Sequence, residues 1–122
     1  MMPNLVDKQI NVVAEQTPRG LVAKIIGEAN VHQTDELDRQ LRVLTSLNPK
    51  VVVLDLSSMP YISSMGIGSL LRFRNDITHA GGTICVASLQ KQVAEAFKLA
   101  NIDRVLPVHA TVEAALSAPL AK

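Results

Sequence analysis

The stretch Ser63-Ser64-Met65-Gly66-Ile67-Gly68 holds the residue types and spacing most suited to chemistry. Two hydroxyls stand where a helix is predicted to begin, and two glycines follow at once. A helix N-terminus presents backbone N–H groups without intrahelical partners, together with the positive end of the helix dipole. A phosphate esterified to Ser64 would therefore sit in a favourable field. Gly66 and Gly68 each cost roughly 1 kcal/mol of helix stability relative to Ala, so the pair needs a reason. Two readings stand. Either the bare first turn lets another protein's backbone approach, or it lets the helix pack tightly on a strand and the serine is simply a cap.

Other candidates are weaker. His32, His79 and His109 are the only histidines, and a catalytic or metal site would need two of them converging with a carboxylate. His79 falls at a predicted helix end, where a cation is favoured anyway. Asp55 closes a strand, where α/β sheets often place ligand groups, but it is equally placed to cap the Ser57-Ser58 loop, the reading preferred here. Cys85 is the only cysteine. It rules out an intramolecular disulfide and a cysteine-based metal cluster, and its mid-strand position suits a small buried hydrophobe. Met59, Tyr61 and Met65 flank the serines; exposed, they would form an adaptable apolar patch, and buried, they would belong to the core. No P-loop lysine pattern, Rossmann glycine triplet, zinc spacing or nucleophile elbow occurs. No cofactor or metal is expected.

The elements that must position this stretch are legible from periodicity. Ile10 to Gln16 alternates as a strand. Thr17-Pro18-Arg19-Gly20 is a turn, and Leu21 to Ile26 completes a hairpin ended by Gly27. A helix follows from Thr34 as cap, with Leu37, Leu41 and Leu44 on its apolar face. Asp35–Arg39 and Asp38–Arg42 are spaced to pair on its wet side, and Asn48-Pro49 stops it. Val51 to Leu54 is apolar on both faces, as a central parallel strand should be. The helix beginning at Ser64 runs to His79, with Ile67, Leu70, Leu71 and Ile77 inward, and stops at Gly81-Gly82. Thr83 to Ala87 is a strand. Gln90 to Ala100 is a helix on Val93 and Phe97. Val105 to Val108 is a short last strand, and Thr111 caps a final helix, Val112 to Ser117, with Pro119 past its end. A hairpin followed by alternating strands and helices implies a mixed sheet with parallel crossovers.

Composition bounds the rest. The 122 residues suit one domain, and at 48% hydrophobic with one Tyr, two Phe and no Trp the core must be aliphatic. A net charge of +1, from 12 basic and 11 acidic residues, leaves no electrostatic footprint for nucleic acid or an anionic membrane. No apolar run approaches the ~20 residues of a membrane helix, and Met1-Met2-Pro3-Asn4 lacks the features of a signal peptide. A cytoplasmic location is expected.

Taken in order, Val52-Val53-Leu54-Asp55-Leu56-Ser57, Tyr61-Ile62-Ser63-Ser64-Met65-Gly66-Ile67-Gly68-Ser69-Leu70-Leu71, Ala80-Gly81-Gly82 and Leu99-Ala100-Asn101-Ile102-Asp103-Arg104-Val105-Leu106-Pro107-Val108 resemble the motifs of the STAS domain family. Gly27-Glu28 fits the end of the family's second strand. The small bacterial members are anti-sigma factor antagonists. The resemblance implies one STAS domain over residues 1–122 (core about 10–117), an α/β fold with a mixed four- to five-stranded sheet and helices mainly on one face. It implies a signalling protein of transcription regulation that is not an enzyme. Such a protein binds an anti-sigma factor that is also a serine kinase, and phosphorylation of the serine two residues before the first motif glycine switches it off. That residue is Ser64, with Ser63 the second choice. A PP2C-type serine phosphatase would reset it. The implied partner surface is Asn30, Tyr61, Ser63, Ser64, Met65, Gly66, Ile67 and Gly68. The sequence departs from the pattern in three places. Ser63 and Asn30 stand where the family carries acidic residues, and Met65 where it has Ser or Thr. The missing acidic residue at position 63 favours an alternative, a non-phosphorylated STAS interaction module of a transporter or signalling complex.

Overall fold

The hairpin, the most local unit of the chain, begins the sheet. In the computed structural model, which describes residues 9–118, β1 (Asn11–Thr17) and β2 (Gly20–Ile26) pair antiparallel, closing at Thr17 opposite Gly20. The Thr17 hydroxyl donates to the Gly20 carbonyl at 2.7 Å and accepts from the Arg19 and Gly20 amides, so the turn is held by its own side chain. Beyond β2, α1 (Thr34–Thr45), β3 (Val51–Asp55), α2 (Ser64–His79), β4 (Thr83–Ala87), α3 (Lys91–Leu99), a 3-10 turn at Ile102–Arg104, β5 (Val108–His109) and α4 (Val112–Ser117) follow. The sheet order is β1-β2-β3-β4-β5, with every pair after the hairpin parallel. This is the expected mixed sheet, with five strands.

Alternation divides the sheet into two faces. Leu21, Ala23, Ile25, Val52, Leu54, Ile84 and Val86 meet Leu37, Leu41 and Leu44 of α1, Leu70, Phe73 and Ile77 of α2, and Val93 and Phe97 of α3 in one buried core. The opposite face carries a small second cluster, Val53, Ala87 and Ala115, where α4 covers β3 and β4. Three helices therefore share one face and one short helix takes the other.

Several local expectations change. The final strand is Val108–His109, not Val105–Val108. The amides of Val105 and Leu106 both turn back to the Ile102 carbonyl, and Pro107 has no N–H to offer a ladder. The cap of α1 is Gln33, not Thr34, and its side chain does not cap; Thr34 instead donates to Val31 O. The expected Asp35–Arg39 and Asp38–Arg42 pairs give way to others. Arg39 pairs with Glu36 one turn back, and Asp38 reaches across to Arg72 of α2 at 2.8 Å. On α2, Leu70 and Ile77 are buried as expected, joined by Phe73, whereas Ile67 and Leu71 lie half-buried at the margin of the core. Thr111 caps α4 by accepting from the Ala114 amide at 3.0 Å; Pro119 lies outside the described residues.

Candidate functional site

Two loops run side by side at the C-terminal ends of β2 and β3. Gly27, at φ 116°, turns the chain out of β2 in a conformation that favours glycine, and its amide donates to the Ser58 carbonyl. Two residues on, Ala29 pairs with Ile62 as a single parallel bridge. The Ala29 amide donates to Tyr61 O, and Ala29 O accepts the Ser63 amide, each at 2.9 Å. Asp55 at the end of β3 accepts from the Ser57 amide at 3.0 Å, which closes the loop as the preferred reading anticipated. Met59 is fully buried beneath it.

This bracing sets the first turn of α2. Ser63 is its cap, with extended backbone at φ −88° and ψ 169°. Its hydroxyl donates to Ala29 O at 2.9 Å and accepts from the Gly66 amide at 3.0 Å. Both bonding directions are used, and the residue is buried at 6% exposure. Ser64, one residue later, is exposed. The first turn carries no acidic side chain, so the positive end of the helix is not offset locally.

The two glycines part company here. A Cβ on Gly66 would lie 2.6 Å from Ala29 O and 2.9 Å from the Ala29 Cβ. Its missing side chain serves contact inside the protein, so the expectation that it leaves room for a partner is corrected. A Cβ on Gly68 would meet only the tip of Arg72, at 3.4 Å. Of the expected surface, Tyr61, Ser64 and Met65 are exposed and Ile67 and Gly68 half-exposed, while Ser63 and Gly66 are turned inward. Asn30 is half-buried beside Ala29, its side-chain oxygen accepting from the His32 amide at 2.9 Å.

Leu99 adds to this surface. Tyr61, Ser64 and Ile67 border a shallow groove of about 330 Å³ whose far wall is Ala96 and Leu99 of α3 and the following Ala100, and Leu99 is 87% exposed. The signal was available: Val93 and Phe97 mark the inward stripe of α3, and Leu99, two residues past Phe97, falls off it. The other candidates disperse. His32, His79 and His109 lie on a loop, a helix end and a strand, and among the described residues no cluster of three or more metal-ligating side chains forms. Cys85 is half-buried on the second face of β4, where burial pushes its thiol up to about 11, so it carries little thiolate at neutral pH. Among the described residues no helix is long and apolar enough to cross a membrane.

Comparison with known proteins agrees with this architecture. A family model for the STAS domain matches residues 11–115. BtrV of Bordetella bronchiseptica, which bears the name of an anti-sigma factor antagonist, is 29% identical over 98 residues, 80% of this chain and 84% of that protein. The crystal structure of an anti-sigma factor antagonist from Mycobacterium paratuberculosis superposes with a TM-score of 0.81 at 20% identity, covering 89% of this chain and 92% of that one. A sulfate transporter family protein from Wolinella succinogenes superposes with a TM-score of 0.68 at 21% identity, covering 79% and 80%.

Proposed function

The chain belongs to the STAS domain family, and on that premise we propose that it is an anti-sigma factor antagonist that binds an anti-sigma factor with serine kinase activity and is released by phosphorylation of Ser64. The observation that carries this reading is the division of labour at the start of α2. Ser63 spends its hydroxyl on Ala29 O and the Gly66 amide, while Ser64 stands exposed beside it. The partner rests on Tyr61, Ser64, Met65, Ile67 and Gly68, with Asn30 at the margin and Leu99 across the groove. A phosphate on Ser64 adds about −1.5 to −2 charges at the centre of that surface. It opposes a complementary interface there and meets the unneutralised end of the helix. A PP2C-type phosphatase reverses the change.

Affinity capture with the wild-type chain from its own cells, followed by titration of the captured partner, tests the reading. Recovery of a kinase-like anti-sigma factor that binds the wild type and loses affinity for Ser64→Glu is the expected result. A second reading has its own support. Ser63 and Asn30 replace acidic residues of the family pattern, and the fold is shared with a sulfate transporter family protein. Capture of a transport complex, with binding indifferent to Ser64→Glu, would establish that reading instead.

A further inference from the structure

The sheet has two edges of very different kinds. β5 is two residues long and offers almost no ladder. β1 is seven residues long and contains no Pro or Lys, the residues that commonly spoil an open edge. Alternate residues of β1 turn their backbone groups toward β2, and the others face outward. Val12 belongs to the outward set, as does Ile10 just before the strand, and with a period of two so do Ala14 and Gln16.

The outward groups of Ile10 and Val12 are occupied by side chains of α1 and its cap. Gln33 accepts from the Ile10 amide at 3.0 Å. Gln40 accepts from the Val12 amide at 2.6 Å and donates to the Ile10 carbonyl at 3.1 Å. One amide thus bonds the carbonyl before Asn11 and the N–H after it, the pattern a residue of a neighbouring parallel strand would make. The remaining hydrogen of the Gln40 amide goes to Glu36 at 2.7 Å. A flipped amide would oppose all three partners, so its orientation is set. Gln33 and Gln40 are seven residues apart, which places both on one helix face. Gln33 does this at the expense of capping its own helix.

We propose that Gln33 and Gln40 form an edge guard that keeps β1 from pairing with β1 of a second copy of this chain. A strand that meets its own copy about a two-fold axis pairs antiparallel and is self-complementary by symmetry. Val13 and its diagonal neighbour Ile26 are 50% and 40% exposed on the face away from α1; such pairing would bring Val13 of one copy beside the same face of the other.

Sedimentation velocity over a concentration series tests the guard. The wild type is expected to sediment as a monomer. The Gln33→Ala/Gln40→Ala variant is expected to shift to dimers at concentrations where the wild type does not. Adding Ala14→Pro to that variant removes an outward N–H without touching the β2 ladder, and should restore the monomer. A folded double variant that sediments as the wild type does overturns the proposal. So does association that survives Ala14→Pro, or a wild type already dimeric through β1. Amide exchange of the wild type gives a readout independent of how the variant folds. The Ile10 and Val12 amides should be protected and those of Ala14 and Gln16 should exchange fast; Ala14 protected as strongly as Val12 would contradict the guard.

Discussion

The starts of α1 and α2 solve the same problem in opposite ways. Each leaves backbone N–H groups unpaired and a positive dipole end to be met. At α1 the charge is answered within the chain, by Asp35 and Glu36 in the first turn, and the cap residue's side chain is diverted to β1. At α2 the geometry is answered and the charge is not. Ser63 caps from a buried position, and no acidic side chain follows. The difference teaches that a helix start can be structurally complete and electrostatically open. An added negative charge has a place at α2 that α1 has already filled.

The comparison can be broken most sharply at the glycines. Gly66→Ala drives a Cβ against the Ala29 carbonyl, and overpacking of that kind should cost about 2–3 kcal/mol. Chemical denaturation would measure it, and an unchanged midpoint would mean that Ala29 is not fixed there. Ser63→Ala should cost about 1–2 kcal/mol in the same assay, since it removes both the cap and the donor to Ala29 O. Thr34→Ala at α1, where the hydroxyl does not cap, should cost less. Gly68→Ala should stabilise by about 0.5–1 kcal/mol, because the new methyl meets only the Arg72 guanidinium, at an ordinary contact distance of 3.4 Å.

Charge gives the smaller effects. Ser64→Asp should raise stability by about 0.3–1 kcal/mol at low salt. α1 supplies the pH counterpart. Hydrogen bonds from Arg39 and then Gln40 hold the Glu36 carboxyl down at about 2, below its ordinary 4.5. A depressed carboxyl adds stability that is complete above the unfolded value and is lost as pH falls through the folded one. The stability gap between wild type and Glu36→Gln should therefore be open at neutral pH, narrow between pH 4.5 and about 2, and shrink in salt. A gap unaffected by acid would separate Glu36 from that pairing.

Much of this was legible in the sequence because its causes are local. Val51-Val52-Val53-Leu54 reads as a central strand on composition alone, and Leu37, Leu41 and Leu44 declare a helix face. What escaped depends on contacts between distant segments. Spacing cannot separate Gly66 from Gly68, since the distinction lies in Ala29, brought beside Gly66 by the neighbouring loop. Thr34 reads as the cap of α1 because nothing local shows that the true cap, Gln33, gives its side chain to the Ile10 amide instead of its own helix. Val105 to Val108 reads as a strand because its apolar run hides the turn at Ile102, which takes the amides of Val105 and Leu106. Ser64 itself was legible by its register in the family motif; its exposure, and the consumption of Ser63, were not.

The central claim is that the exposed half of the α2 start is the control point and the buried half its support. Intact-mass analysis after incubation with ATP and the captured anti-sigma kinase tests it most directly, using the wild type, Ser63→Ala and Ser64→Ala. One added phosphate on the wild type and on folded Ser63→Ala, and none on Ser64→Ala, is the predicted result. Full phosphorylation of Ser64→Ala would contradict it.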